Sequence, residues 1–267
     1  MAMYKRMSRV LPIAIVPFAL GVAPQMGWAG KHEAEFAVAE LFFELNNTDG
    51  DLGIHALIDG DAWKKLQIED KREREILDVT VKGRLRRQGL TEIFFESAEP
   101  TFDKLPPKKF FRRFPAGTYE IEGTTLHGVE LENEVELTHV IPAPPEPTVN
   151  GLMAAEQCDD EESGYDAPGV TAPVTISWAP VTQSHWDLGG LPVVDVTIHN
   201  YEVVVEVEIE IDGEEFASTM HVVLPPGETS MTIPEEFIAQ GGEFKYEILA
   251  REESFNQTAI ESCFVLE

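Results

Sequence analysis

The stretch "VEVEIEIDGEEFASTMHVVL", residues 205–224, decides the fold class. Its first seven residues alternate between apolar and acidic side chains, which is the two-residue period of a half-buried strand. Asp212-Gly213 then supplies a two-residue turn of the kind that joins antiparallel strands. The stretch therefore predicts a β-hairpin with one face in a core and one acidic face.

Similar alternation lies upstream, in short segments separated by turn residues: 35–45, 52–58, 63–69, 76–82 and 91–97. Short strands at this spacing favour an immunoglobulin-like β-sandwich over residues 30–141. One short helix is predicted at "LPPKKFFRRF", residues 105–114, because prolines are tolerated in a first helical turn. The last two strands are expected to turn near Glu132-Asn133.

Tyr119 is a candidate structural residue of this first domain. It follows Gly117 at the entry to an alternating strand, "GTYEIEG", residues 117–123. That placement is typical of the tyrosine corner of immunoglobulin-like sandwiches, in which the hydroxyl bonds to backbone upstream. We expect Tyr119 to fix this corner.

Residues 142–172 are predicted to be a linker between two domains. They begin with "PAPPEPTV", residues 142–149, whose prolines suit an extended, semi-rigid spacer better than a sheet interior. An acidic loop containing Cys158 follows. Cys158 and Cys263 are a candidate disulfide, because oxidation is available to an exported chain. Their spacing does not fit CxxC redox or zinc motifs.

The segments "VTISWAPVT" (174–182), "VVDVTIHNYEVVVEVE" (193–208) and "LPPGETSMTIPEEFIAQGGEFKYEILARE" (224–252) resemble a fibronectin type III domain. The resemblance covers roughly residues 173–267 and implies a second β-sandwich. It also implies that Trp178 is the buried tryptophan of the second strand. Phe244 stands where the family usually has its corner tyrosine, so packing alone must hold that corner.

Together these features predict an all-β protein with two tandem immunoglobulin-like or fibronectin type III-like sandwiches. The whole chain also resembles a loose group of uncharacterised exported bacterial proteins that share this order of segments. That resemblance implies architecture and compartment, and implies no activity.

Residues 1–29 resemble a signal peptide, with Lys5, Arg6 and Arg9 before an apolar run and Gly27-Trp28-Ala29 as a cleavage site. The apolar run is too short and too proline-interrupted for a membrane span. We therefore expect the protein to be secreted or periplasmic, without a membrane span.

The net charge is −28, and residues 151–267 hold only Lys245 and Arg251 against 24 acidic residues. Such a surface repels phosphate backbones, so nucleic acid is not an expected partner. Divalent cations and basic partners fit this charge, and solubility alone also explains it.

The polar stretch "ELNNTDGDLGIH", residues 44–55, is the candidate metal site. Asn47, Asp49 and Asp51 occupy alternate positions, as the first oxygen ligands of a calcium loop do. Leu52 replaces the expected glycine and Ile58 the expected bidentate glutamate, which weakens the match. A plain turn in which Asn and Asp bond their own backbone is the alternative.

The chain holds no HExxH, GxSxG or glycine-rich phosphate loop, and no closely spaced pair of histidines. A triad assembled from distant loops would leave no such motif. The sequence therefore predicts a non-catalytic module that presents its surfaces to an extracellular protein or glycan. The alternative is a pair of calcium-stabilised accessory domains of a secreted carbohydrate-active or proteolytic system.

Overall fold

The computed structural model describes residues 33–155, 158, 167–211 and 213–267. Strands dominate the N-terminal half, where two short helices interrupt them. The elements of this half are β1 (Glu33–Ala34), β2 (Val38–Asn46), β3 (Asp51–Asp70), β4 (Glu75–Thr80), α1 (Leu85–Gln88), β5 (Leu90–Glu96), α2 (Pro107–Arg113), β6 (Gly117–Thr125) and β7 (Glu130–Leu137).

The C-terminal half is also built mostly from strands. Its elements are β8 (Pro147–Val149), β9 (Leu152–Met153), β10 (Gly169–Val170), β11 (Thr175–Trp178), β12 (Ile198–Ile211), β13 (Glu214–Leu224), β14 (Ser230–Thr232), α3 (Glu235–Ile238), β15 (Glu243–Glu252) and β16 (Gln257–Leu266). The long β12–β13 hairpin pairs Ile211 with Glu214, as the opening stretch predicts.

Twelve strands of the described residues form one sheet, and its main path runs β1-β7-β6-β3-β2-β16-β15-β12-β13. The two halves meet where β2 and β16 pair in parallel, with Glu44 opposite Gln257. A second sheet has the order β14-β11-β8-β9. The all-β prediction is confirmed, whereas the layout of two tandem domains is not, because one sheet continues through both halves.

Two hydrophobic cores lie along this architecture. The N-terminal core includes Phe43, Trp63 and Tyr119, all fully buried. The C-terminal core includes Val205 and Phe244, which are also fully buried. Each core takes alternate side chains from the long strands, so the other side chains of those strands face away from it.

Three local predictions in the N-terminal half were wrong. The segments 52–58 and 63–69 are parts of one strand, β3. Gly60 has no side chain and so leaves room for the ring of Phe36. The pairing of β3 with its neighbours continues past Trp63 with a shift in register. The last hairpin turns between Thr125 and Glu130, while residues 132–133 lie inside β7. The helix α2 lies where predicted, but α1 is an additional helix.

The predicted linker contributes strands. Pro147 and Val149 pair with Trp178 and Ile176 on β11, and β10 pairs with the end of β16. Pro147 is tolerated in β8 because it is the first residue of the strand, a position at which proline is found in sheets. The spacer prediction for 142–149 is therefore wrong for its last three residues.

The predicted signal peptide, residues 1–29, and most of the acidic loop around Cys158 lie outside the described residues. Within the described ranges, none of the helices has the length and apolar content that crossing a membrane requires.

Candidate functional site

The outward side chains of the central strands form an acidic face on the large sheet, opposite the two cores. We define this acidic face by the residues Glu44, Asp51, His55, Glu96, Glu99, Glu247 and Glu261. Strand pairing brings them together, since Glu247 lies opposite Glu261 on the neighbouring strand and His55 lies opposite Glu96.

The acidic face crosses the boundary between the two halves. Asn46 Nδ2 donates a hydrogen bond to Glu261 Oε1 at 2.7 Å, and the side chain of Gln257 donates to Glu44. These amides satisfy some of the carboxylate oxygens where β2 meets β16. The sheet therefore holds carboxylates from both ends of the chain on one surface.

His55 lies at the centre of the N-terminal part of this face and is only 3% exposed. Its Nε2 lies 2.8 Å from Glu99 Oε1, and its Nδ1 lies 3.7 Å from Glu44 Oε2. One ligand atom each from His55, Glu96 and Glu99 can be chosen so that all lie within 4.8 Å of one another. An imidazole and two carboxylates at this spacing are a set of metal-ligand types.

The carboxylates on the acidic face raise one another's pKa values. Burial, reinforced by the charges of Glu44 and Glu261, raises the pKa of Glu247 to about 8. Burial and the charge of Glu99 raise the pKa of Asp51 to about 6. The charged forms of these groups are therefore disfavoured, and a bound cation would relieve their mutual repulsion.

The pKa of His55 is set by two opposing effects, its burial and the carboxylates around it. Burial disfavours its charged form, but the hydrogen bond to Glu99 and the charge of Glu44 raise the pKa of the imidazole above its ordinary value. The same burial raises the pKa of Glu44, and His55 opposes that rise. The carboxylates around His55 therefore favour the charged form of its imidazole, against the effect of burial.

The candidate calcium residues lie in the β2–β3 turn, at the edge of this face. Asn46 Oδ1 accepts hydrogen bonds from the backbone amides of Thr48 and Asp49 at 3.0 and 3.2 Å. Asn47 Oδ1 lies 3.0 Å from the Nε2 of His185. Asp51 Oδ1 is buried and has no hydrogen-bond partner within the described residues. Part of the stretch is thus a turn of the Asx type, and calcium binding by Asn47, Asp49 and Asp51 stays a proposal.

The two halves are tied by side chains on both sides of the β2–β16 pairing. Arg251 Nη2 donates to Glu40 Oε2 at 2.6 Å, and its guanidinium lies 4.8 Å from the centre of the Phe42 ring. Asn256 Oδ1 accepts from the amide of Phe43 at 2.8 Å, and its Nδ2 donates to Val140 O at 2.8 Å. We call this set of contacts the junction.

The two cysteines and the three aromatic residues singled out in the sequence each have contacts in the structure. Cys158 and Cys263 form a disulfide, with Cα atoms 5.9 Å apart. Tyr119 donates its hydroxyl hydrogen to Pro115 O at 3.0 Å, four residues upstream. Trp178 lies edge-on to Tyr201 at 5.3 Å, and Phe244 stacks on Phe264 at 4.9 Å.

An open groove of about 650 Å³ lies beside the junction. Its acidic lining residues are Glu40, Glu134, Glu136, Asp195, Glu252 and Glu253. Near the β2–β3 turn, Trp186 is 62% exposed and stacks on His185, with ring centres 4.7 Å apart. An exposed aromatic ring is a feature of binding surfaces, because aromatic residues are enriched at interfaces.

The sequence did not predict the cluster of His55, Glu96 and Glu99. The alternation of β3 assigns His55 to the outward face, but no spacing rule links it to residues more than 40 positions away. The cluster depends on the pairing of β3 with β5, which a single sequence does not specify.

No protein-family model matches the chain, and no curated protein matches it. A structure concerning host cell surface retention of a 1.5-MDa bacterial ice-binding adhesin is 9% identical over 88% of this chain, with a TM-score of 0.21. A tetra-tandem repeat from the extending region of a large adhesion protein is 15% identical over 86%, with a TM-score of 0.23.

A third structure concerns a Ca²⁺-stabilised adhesin that helps an Antarctic bacterium reach out and bind ice. It is 11% identical over 87% of this chain, with a TM-score of 0.23. The chain spans 66% of the first of these structures and 50% of the other two. TM-scores this low do not establish a shared arrangement, and what those proteins bind is not carried over to this chain.

Proposed function

We propose that this protein is an exported, non-catalytic structural and binding module that presents its surface to an extracellular protein or glycan. The observation that carries this proposal is the junction. Strand pairing, the Arg251–Glu40 ion pair and the hydrogen bonds of Asn256 join the halves into one continuous sheet. A protein whose work is to hold a binding surface in place needs such a fixed connection.

The proposal includes a location outside the cytoplasm, either secreted or periplasmic. The signal-like residues 1–29 and the disulfide between Cys158 and Cys263 both fit secretion or a periplasmic location, where oxidation is available. The C-terminal half fits a fibronectin type III-like sandwich, since β8, β11 and β14 lie in one sheet and β12, β13, β15 and β16 in the other.

The loop that carries Trp186 is the proposed binding surface. Its indole is exposed, and it is backed by His185, whose ring is in turn held by Asn47. An exposed and supported aromatic ring provides a flat apolar platform at little cost in side-chain entropy.

Co-sedimentation with insoluble polysaccharides and binding to a glycan array test this proposal. We expect the wild-type protein to bind at least one glycan and Trp186→Ala to lose that binding. Phe216→Ala is the matched control, because Phe216 is also exposed but lies at the tip of the β12–β13 hairpin. Equal loss in both variants would argue against a platform at Trp186.

Assays on a panel of hydrolase substrates test the non-catalytic part of the proposal. We expect no turnover above that of a denatured sample. Turnover that single substitutions in the described loops abolish would overturn it.

The second candidate function is a calcium-stabilised accessory pair in a secreted carbohydrate-active or proteolytic system. The buried, unpartnered Oδ1 of Asp51 favours this candidate, because a cation would satisfy it. Asn47 and Asp49 would supply the neighbouring oxygen ligands.

A further inference from the structure

The cluster of His55, Glu96 and Glu99 is separate from the calcium candidates of the β2–β3 turn. His55 comes from the middle of β3, Glu96 ends β5, and Glu99 follows three residues later. Of the described histidine, cysteine, aspartate and glutamate residues, these three form the group whose ligand atoms converge within 4.8 Å.

The backbone around the cluster leaves space for Glu99. A Cβ atom placed on Gly53 would lie 1.8 Å from Glu99 Oε1, so this carboxylate occupies the position of a side chain at residue 53. Ser97 holds the chain nearby, because its Oγ accepts from the amide of Ile54 at 3.0 Å and its own amide donates to Ile54 O at 3.1 Å. Glu99 is therefore directed over β3 toward the imidazole.

The second ring nitrogen of His55 also faces a carboxylate. Its Nδ1 lies 3.7 Å from Glu44 Oε2, while Nε2 points to Glu99. Histidines that bind metals through one nitrogen usually direct the other nitrogen to a carboxylate or carbonyl, which orients the ring. Glu44 is in turn held by Gln257.

An unsatisfied buried atom lies on the same face of β3 as His55, four residues before it in the strand. Asp51 Oδ1 is buried without a hydrogen-bond partner among the described residues, and Glu99 is the neighbouring charge that acts most strongly on this carboxylate. A buried carboxylate oxygen without a donor is costly, and a bound cation removes that cost. Asp51 also belongs to the calcium candidates of the turn, so its unpaired oxygen supports a cation on this face of the sheet without choosing between the two sites.

We propose that His55 Nε2 and the carboxylates of Glu96 and Glu99 bind a divalent transition metal ion of the Zn²⁺ type. Imidazole nitrogen favours Zn²⁺, Cu²⁺ or Ni²⁺ over Ca²⁺. Zn²⁺ bonds of about 2.0 to 2.2 Å in a tetrahedron place ligand atoms roughly 3.4 Å apart. Nε2 and Glu99 Oε1, which lie 2.8 Å apart, would therefore separate slightly, and any pair near the 4.8 Å limit of the group would move closer. The ion would cross-link β3 to the chain after β5, which is a role independent of glycan or protein binding.

Isothermal titration of Zn²⁺ into chelator-treated protein is the first test, with the ring nitrogens of His55 followed by NMR in parallel. We expect one equivalent of Zn²⁺ to shift the His55 Nε2 signal. Glu96→Gln is expected to weaken binding by at least about tenfold, a loss in the range for removing a metal-site group. Glu96 is exposed, so this substitution does not threaten folding.

Glu92→Gln is the matched control, because Glu92 is an exposed glutamate on the same face of β5, opposite Asp59. We expect its Zn²⁺ affinity to equal that of the wild-type protein. His55→Gln should abolish the one-equivalent site, and its far-UV spectrum shows whether it is folded.

Three results would overturn the proposal. If Zn²⁺ leaves the His55 signals in place, or if Glu96→Gln and Glu92→Gln bind equally, His55 is only a buried hydrogen-bonding partner of Glu99 beside Glu44. If Ca²⁺ binds at His55 and Zn²⁺ does not, the assigned class of ion is wrong.

Discussion

Arg251 reaches across the junction to Glu40, with 2.6 Å between Nη2 and Oε2 and side-chain exposures of only 15% and 20%. Its guanidinium also lies over the rings of Phe42 and Phe255. The pair therefore joins a strand of the N-terminal half to a strand of the C-terminal half in a partly desolvated setting, where ion pairs are less screened.

Substitution of Arg251 by Gln should lower the free energy of unfolding by about 1.5 to 3 kcal/mol, since a charged hydrogen bond and a cation–π contact are lost. Urea denaturation measures this loss. The control is Lys65→Gln, because Lys65 forms an exposed pair with Asp78 at 3.8 Å. An exposed pair contributes about 0.2 to 1 kcal/mol, so equal losses in the two variants would show that the junction is not fixed by Arg251.

Glu247 should make stability depend on pH. Its pKa is raised from 4.5 to about 8, so between these values the folded protein binds more protons than the unfolded chain. Stability therefore falls as the pH rises through this window. We expect the melting temperature to drop between pH 5 and pH 8 and Glu247→Gln to remove part of that drop.

The control for this prediction is Glu243→Gln, an exposed glutamate on the same strand. It should leave the pH profile unchanged, and differential scanning calorimetry measures both variants. A Glu247→Gln profile that follows the wild type at every pH would contradict the buried-acid interpretation.

Tyr119→Phe should remove the hydrogen bond to Pro115 O and leave the ring in place. We expect a loss of about 1 kcal/mol in the free energy of unfolding, measured in urea. Tyr119→Leu also removes aromatic packing and should cost more. If Tyr119→Phe is as stable as the wild type, the hydroxyl has no structural role at this corner.

Reduction of the disulfide should destabilise the protein. Cys158 and Cys263 are 105 residues apart, and closing a loop of that length reduces unfolded-state entropy by about 4 to 5 kcal/mol in the chain-entropy model. Urea unfolding with and without reductant measures the effect. The double variant Cys158→Ser, Cys263→Ser should match the reduced wild type and should not respond to reductant.

Thermal melts with and without Ca²⁺ test whether the β2–β3 turn binds calcium. We expect the melting temperature in millimolar Ca²⁺ to be several degrees higher than in chelator. A ligand at 100 times its Kd stabilises the folded state by about 2.7 kcal/mol. Asp49→Ala should lose this rise. Equal responses to Ca²⁺ and Mg²⁺ in both proteins would mean general screening of the acidic surface and a plain turn.

The sequence predicts the strand content well, because alternating side chains report directly on a half-buried strand. It fails where a tertiary contact overrides a local signal. Asp59-Gly60-Asp61 looks like a turn, but the missing side chain of Gly60 admits the Phe36 ring and β3 continues. Pro147 suggests a spacer, but its neighbours pair with β11.

The candidate site was predicted only in part. Alternation shows that His55 and Glu247 face outward, but their partners come from strands that are distant in sequence. Burial raises the pKa of Glu247, and the charges of Glu44 and Glu261 raise it further. The pairing of β15 with β16 places Glu261 opposite it, and the parallel pairing of β16 with β2 brings Glu44 near. Pairings of this kind are fixed by the whole fold and leave no local pattern.

The pairing of β2 with β16 also sets an order of assembly. A chain made from its N-terminus exposes the edge of β2 until residues 257–259 appear, more than 200 positions later. Contacts so distant in sequence form slowly, because closure of a long loop precedes any gain from them. The acidic side chains along β2 therefore have a second role during synthesis, since charge on an open edge discourages pairing with other chains.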